Sequence, residues 1–242
     1  MVETDKGILL IPEKTDIESE QVLKAWTDRG GSVKRLGKYW IKEEDLDNHK
    51  IAIYGNQIFA LVLSQVYNVT LISPDDKLIS KPGKIWTKRD IEIKTVAGIN
   101  DVHFPVFIKP VVPKKFIAAI YKNPEAFEQA TRSLEKTEEI IISPVIDDIR
   151  AEARGYLRNG LLKDIALYEG NADIKEGELF LQNFAEKNSD ILPEVVVTDI
   201  AYSEKLGWFI LEFNACWGAG LNNCKADKVI ECIIEATKPP SA

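Results

Sequence analysis

The chain has 242 residues, 45% of them hydrophobic and 29% charged, with a net charge of -7. That composition argues against extended disorder and against a broad nucleic-acid-binding surface, and the length suits two small domains. Three cysteines without CxxC spacing, Cys216, Cys224 and Cys232, indicate neither a disulfide framework nor a zinc site, so a reducing compartment is expected.

Met1 leads into Val-Glu-Thr-Asp-Lys with no basic region followed by an apolar segment, and no apolar run reaches membrane-spanning length. A cytoplasmic protein is therefore expected. Ile8 to Ile11 reads as a buried strand closed by Pro12. Thr15 and Glu18 form a capping-box signature for a helix with Val22, Leu23 and Trp26 on its inner face. Gly30-Gly31 ends that helix, and Ser32 to Leu36 returns as a short strand, a β-α-β rhythm that implies a parallel sheet. Lys50 to Tyr54 is the next strand, Gly55 a tight turn, Gln57 to Val66 a buried helix and Val69 to Ile72 a further strand. Ser80 to Lys84 has linker chemistry, and the segment up to Asn100-Asp101 reads as irregular, which puts a domain boundary near residue 100.

Phe104 to Pro110 is a strand in which Pro110 holds Lys109 extended, so an amine is displayed at the strand's end. Phe116 to Tyr121 is its partner. Asn123-Pro124-Glu125 starts a helix with the apolar stripe Phe127, Ala130 and Leu134. Glu139 to Ser143 is a third strand, stopped by Pro144. Arg150 to Arg158 and Leu161 to Tyr168 flank Asn159-Gly160, the dipeptide of a two-residue type I′ hairpin. On the first of these strands Glu152, Arg154 and Tyr156 share one face.

A second hairpin joins Val195–Ala201 to Trp208–Asn214 and carries acids where hydrophobes are expected, Asp199 and Glu212. Glu212 and Asn214 leave the strand on one face, and with Asp199 they would make an all-oxygen set suited to Mg²⁺, the alternative being a hairpin with solvated acids at its rim. Asp199 and Glu212 share a face when opposed residue numbers have an odd sum. A four-residue loop, Glu204 to Gly207, is therefore expected, with Ser203 opposite Trp208 and Asp199 opposite Glu212. The last helix, about Asn222 to Thr237, has Ala226, Val229, Ile230, Ile233 and Ile234 at helical spacing, with Cys224 and Cys232 as small hydrophobes. His49 and His103 stand apart from any Cys, His or serine-elbow motif, and no Walker A motif occurs.

From Phe104 to Thr237 the order of these pieces resembles the ATP-grasp superfamily. The resemblance implies a mixed α/β (α+β) fold: residues 1–100 as a small Rossmann-like domain, then an ATP-grasp domain over 101–242, with a lid at about 104–143 and a sheet subdomain at about 148–238. It implies that Lys109 meets the nucleotide phosphates and that the backbone at Ser143 and Val145 reads adenine. Asp147 or Asp148 would meet the ribose, with Asp148 taken as the candidate; Glu152 and Arg154 form the family's Glu-x-Arg strand, and Asp199, Glu212 and Asn214 hold Mg²⁺. In place of the family's glycine-rich phosphate loop stands Val111-Val112-Pro113-Lys114-Lys115, where the charge of Lys114 or Lys115 would substitute, Lys115 being the candidate. A second basic phosphate ligand is open among Lys88, Arg89 and Lys94.

The chemistry so implied is an ATP-dependent carboxylate–amine ligase working through an acyl-phosphate, with Lys109 as a point charge and Arg154 holding the transferring group. The expected partners are ATP, Mg²⁺ and small-molecule carboxylate and amine substrates, amino acid or peptide, with no nucleic acid and no membrane; a homodimer is compatible with this reading. The alternatives are a non-catalytic ATP-binding module and an interaction domain without nucleotide.

Overall fold

The computed structural model describes residues 6–14, 16–46 and 49–240. Ile8–Pro12 (β1) buries Leu9, Leu10 and Ile11 completely, as a continuous apolar run does in a strand covered on both faces. Ile17–Asp28 (α1) starts at Asp16, whose carboxylate accepts from the Ser19 N–H. The capping role expected of Thr15 lies outside the described residues, while the Glu18 carboxylate accepts the backbone N–H groups of Leu221 and Asn222. Ser32–Leu36 (β2) and Ile51–Ile53 (β3) flank β1 in a parallel sheet of order β2-β1-β3. Gln57–Val66 (α2) follows, capped by Asn56. The next strand, Thr70–Leu71 (β4), does not extend this sheet; it pairs antiparallel with Thr237–Lys238 near the chain's end.

The stretch expected to be irregular contains Lys84–Thr87 (α3) and Glu92–Thr95 (β5). Val106–Pro110 (β6), Ala119–Tyr121 (β7), Pro124–Thr131 (α4) and Glu139–Ser143 (β8) follow, and β5 joins them in an antiparallel sheet of order β5-β8-β6-β7. Because α4 stops at Thr131, its inner face is Phe127 and Thr131, and Ala130 is exposed.

Ile149–Arg158 (β9) and Leu161–Gly170 (β10) form the expected hairpin, with Asn159 at φ 51° and Gly160 at φ 72°, the positive pair a type I′ turn needs. Ile174–Lys187 (α5) lies so close to β9 that a Cβ on Gly155 would stand 2.2 Å from Leu181 Cδ2. Val195–Ser203 (β11) and Gly207–Asn214 (β12) complete a sheet of order β10-β9-β11-β12. The last helix, Ala226–Glu235 (α6), begins later than its periodicity predicts, because Asn222 and Asn223 take positive φ, 47° and 70°, which no right-handed helix continues. Cys224 therefore precedes the helix, and its thiol donates to the Arg154 carbonyl. Thr237–Lys238 (β13) is the last strand.

α6 lies against α1 and β3 as well as against β9, β10 and β11, so one core runs from Leu9 through Tyr156 to Ile234. Among the described residues no helix is long and apolar enough to cross a membrane.

Candidate active site

A cleft of about 450 Å³ opens between the β5-β8-β6-β7 sheet and the edge of the larger sheet. Ile141 and Ser143 of β8 and the segment Pro144 to Ile146 form one wall; Phe209, Leu211 and Glu212 of β12 form the floor, with Glu152 and Tyr168 at one end and Arg89 and Lys109 at the other. A second cleft, about 400 Å³, continues past Lys109 and Glu212, which line both, to Asp76, Lys114, Phe116 and Asn214.

The floor depends on the β11–β12 register. The connection is three residues long, Glu204 to Leu206, with Ser203 opposite Gly207, not the expected four-residue loop with Ser203 opposite Trp208. Gly207 at φ 72° has the left-handed conformation that ends such a three-residue loop. Continued unbroken, this register would turn Glu212 away from Asp199. A β-bulge at Leu211 shifts it by one residue, so Asp199 stands opposite Glu212, the pairing expected, reached by a different route. The bulge also brings Leu211 and Glu212, consecutive residues, to one cleft.

Asp199 is buried and meets Arg154 in a two-pronged pair, Nε to Oδ1 at 2.8 Å and Nη2 to Oδ2 at 2.7 Å. Arg154 Nη1 donates to the Gly220 carbonyl at 2.9 Å, so each of its nitrogens serves a protein oxygen. Burial raises the Asp199 carboxyl above its ordinary range, with Arg154 opposing. Burial also works against the Arg154 charge, but Asp199 outweighs it and holds the guanidinium firmly protonated. Asn214 Nδ2 lies 3.1 Å from Asp199 Oδ2 and 3.0 Å from Glu212 Oε1, so a donor sits between two carboxylates. A half-turn of that amide would place its oxygen there, giving two carboxylates and one amide oxygen, a hard-ligand set that fits Mg²⁺. Among the described residues no group of three or more His, Cys, Asp or Glu side chains is arranged as a metal site.

Lys109 loses proton affinity through burial, an effect opposed by Glu212 and reinforced by Arg89, so the two cations stand near each other. Of the three candidates for a second phosphate cation, Arg89 lines the cleft, whereas Lys94 pairs with Asp101 at 2.7 Å and Lys88 is absent from the cleft walls. Lys115 is not brought to the cleft; it pairs with Glu138 at 3.0 Å, while Lys114 lines the second cleft and donates to Gln57 Oε1. Asp148 also stands apart, accepting from Ser203 Oγ at 2.7 Å at the foot of the β11–β12 turn, and Asp147 faces Lys205. Ser143, Val145 and Glu152 are in the wall as expected.

Tyr168 was not anticipated. Its hydroxyl donates to Glu152 Oε2 at 2.5 Å, and its ring faces the Arg154 guanidinium at 5.9 Å. It is the extra residue of a bulge in β10, between the pairs Leu167–Ala153 and Glu169–Glu152. A regular register from Asn159-Gly160 would have faced it to Ala151, so only its aromatic character at a strand end was visible.

Residues 86–232 match the model of an ATP-grasp domain family, the second family of its clade, over more than half of the chain, and the protein belongs to that ATP-grasp family. Among solved structures it is similar to an ATP-grasp RimK domain protein from Sphaerobacter thermophilus, at 11% identity and TM-score 0.60, over 93% of this chain and 98% of that one. It is similar as well to the D-cycloserine synthetase DcsG, at 12% identity and TM-score 0.61, over 94% and 98% of the two chains. A third is D-alanine--D-alanine ligase from Bacillus anthracis complexed with ATP, at 15% identity and TM-score 0.53, over 95% and 96%. At these identities the likeness is one of fold. Comparison with curated proteins returns no significant match.

Proposed function

We propose that the protein is an ATP-dependent carboxylate–amine ligase that works through an acyl-phosphate. The observation that carries this reading is that Lys109 and Glu212 line both clefts, so one charged boundary separates a nucleotide-sized space from a second space. Adenine would lie on Phe209 and Leu211 against the backbone at Ser143 to Val145, with Glu152 towards the ribose and Arg89 and Lys109 on the phosphates. Asp199, Glu212 and Asn214 would hold Mg²⁺, which when bound neutralises phosphate charge. A carboxylate oxygen attacks the γ-phosphorus with ADP leaving; an amine nitrogen then attacks the acyl carbon and phosphate departs. Arg154 holds Asp199 in register and has N–H donors left for the transferring group. Substrates of amino-acid or peptide type are favoured by what the similar D-alanine--D-alanine ligase and D-cycloserine synthetase are named for. The amino-terminal β2-β1-β3 unit is proposed as a small Rossmann-like domain that helps to wall the second cleft.

Titration of Mg·ATP against the wild type and Lys109→Met tests the site: losing a charged partner of a phosphate costs ~1.5–3 kcal/mol, about 10- to 100-fold in affinity. Equal affinity removes Lys109 from the site. Phosphate release with pooled amino acids and short peptides separates a ligase from a binding module, which would bind Mg·ATP tightly and release none.

A further inference from the structure

The bulge at Leu211 is held from outside its own hairpin. β12 is the edge strand of its sheet, so carbonyls on its outer side have no ladder partner. The Arg89 guanidinium supplies one: Nη1 donates to the Ile210 carbonyl at 3.0 Å and Nη2 to the Leu211 carbonyl at 3.3 Å. These are the residues at which the register shifts.

Arg89 is itself set in place locally. Nη1 also donates to the Thr87 carbonyl at 2.9 Å, and the buried Thr87 hydroxyl donates to the Arg89 carbonyl at 2.7 Å. Lys88, between them, holds φ 54° and turns the chain from α3 onto β12. The guanidinium lies 5.4 Å from the Phe209 ring centre and has no carboxylate partner among the described residues. Burial brings its pKa down to about 10, so it keeps its charge at neutral pH. Carbonyl oxygens and a ring face thus take the place of a counter-ion. Such an arrangement needs a planar fork with several donors; a lysine ammonium cannot reproduce it.

We propose that Arg89 is a positioning residue which clamps the β-bulge at Leu211 and so fixes Glu212 opposite Asp199. Its effect on Mg²⁺ rests on the metal-site reading above, whereas its effect on the backbone does not. The clamp couples the turn after α3 to the register of the metal-side strand.

Hydrogen exchange on the full chain without ligand tests it, with Mg²⁺ titration at fixed ATP as the second readout. In Arg89→Met the amides of Leu211, Glu212 and Phe213 should exchange at least about tenfold faster while those of β9 hold their protection. The Mg²⁺ concentration for half-maximal ATP binding should rise, and Arg89→Lys should restore neither. Where Arg89→Met does not fold, Arg89→Lys alone decides, since one ammonium cannot span both carbonyls. Unchanged exchange at 211–213 with weaker ATP binding would make Arg89 a phosphate ligand only and overturn the clamp. Faster exchange with no ATP binding by any variant, wild type included, would uphold the clamp and remove the nucleotide reading.

Discussion

At the scale of single residues the most consequential feature is a buried charge pair in an otherwise apolar sheet. Asp199 is 1% exposed and Arg154 9% exposed, so each would be costly alone. Their two hydrogen bonds, with Asn214 and the Gly220 carbonyl beside them, satisfy most of the polar atoms. Replacing Arg154 by Met leaves a buried carboxylate uncompensated, and the expected loss is ~3–5 kcal/mol in urea unfolding. The double variant Arg154→Met, Asp199→Leu should recover much of that loss, because the orphaned charge is gone. Equal losses in the single and double variants would mean that the pair's packing, rather than its charge, carries the effect.

At the scale of elements, bulges aim the side chains. Regular alternation places residues two apart on one face; Leu211 with Glu212, and Tyr168 as the unpaired residue of β10, reach the cleft because each strand gains a residue. Elements are also tied by ions, as α6 is to β9 through Arg158 Nε and Glu235 Oε2 at 2.8 Å. Arg158 holds the Glu235 carboxyl below its ordinary 4.5. The pair's contribution is therefore fully present above pH 4.5 and is lost as pH falls through the lowered folded-state value. Partial exposure limits it to ~1 kcal/mol or less. Glu235→Gln should lower stability by that amount at pH 7, and its deficit against the wild type should disappear in strong acid. A deficit independent of pH would show that the ion pair contributes nothing.

At the scale of the molecule, α6 joins the two halves. Ile230, Ile233 and Ile234 are buried in the core that also contains Leu9, Val22 and Ile53 from the amino-terminal unit and Val195 and Val197 from the larger sheet. Ile233→Ala should cost ~2–5 kcal/mol. Because the core is continuous, amides of β1 and β11 should lose exchange protection together. Loss confined to β1 would show that the amino-terminal unit opens by itself.

Apolar periodicity and turn chemistry, which act over a few neighbouring residues, were sufficient in the sequence to give the strands around Lys109 and Asp199, the Asn159-Gly160 hairpin and the apolar face of α6. The order of Lys109, Arg154, Asp199, Glu212 and Asn214 was legible in the same way, since each lies on an element whose type its neighbours determine. The strand Glu92–Thr95 was not legible, because its half-buried faces are made by β8 and not by its own pattern. Nor could the sequence place Lys115 on Glu138 or Asp148 on Ser203, or raise Tyr168 to the cleft: these depend on which distant groups compete for a charge or a hydroxyl. The β11–β12 register shows the division most clearly. Local chemistry required Asp199 and Glu212 to share a face if they are to act together, but whether loop length or a bulge achieved it was decided by Gly207, which takes a positive φ, and by Arg89, more than a hundred residues away, whose guanidinium meets the bulge carbonyls only in the folded chain.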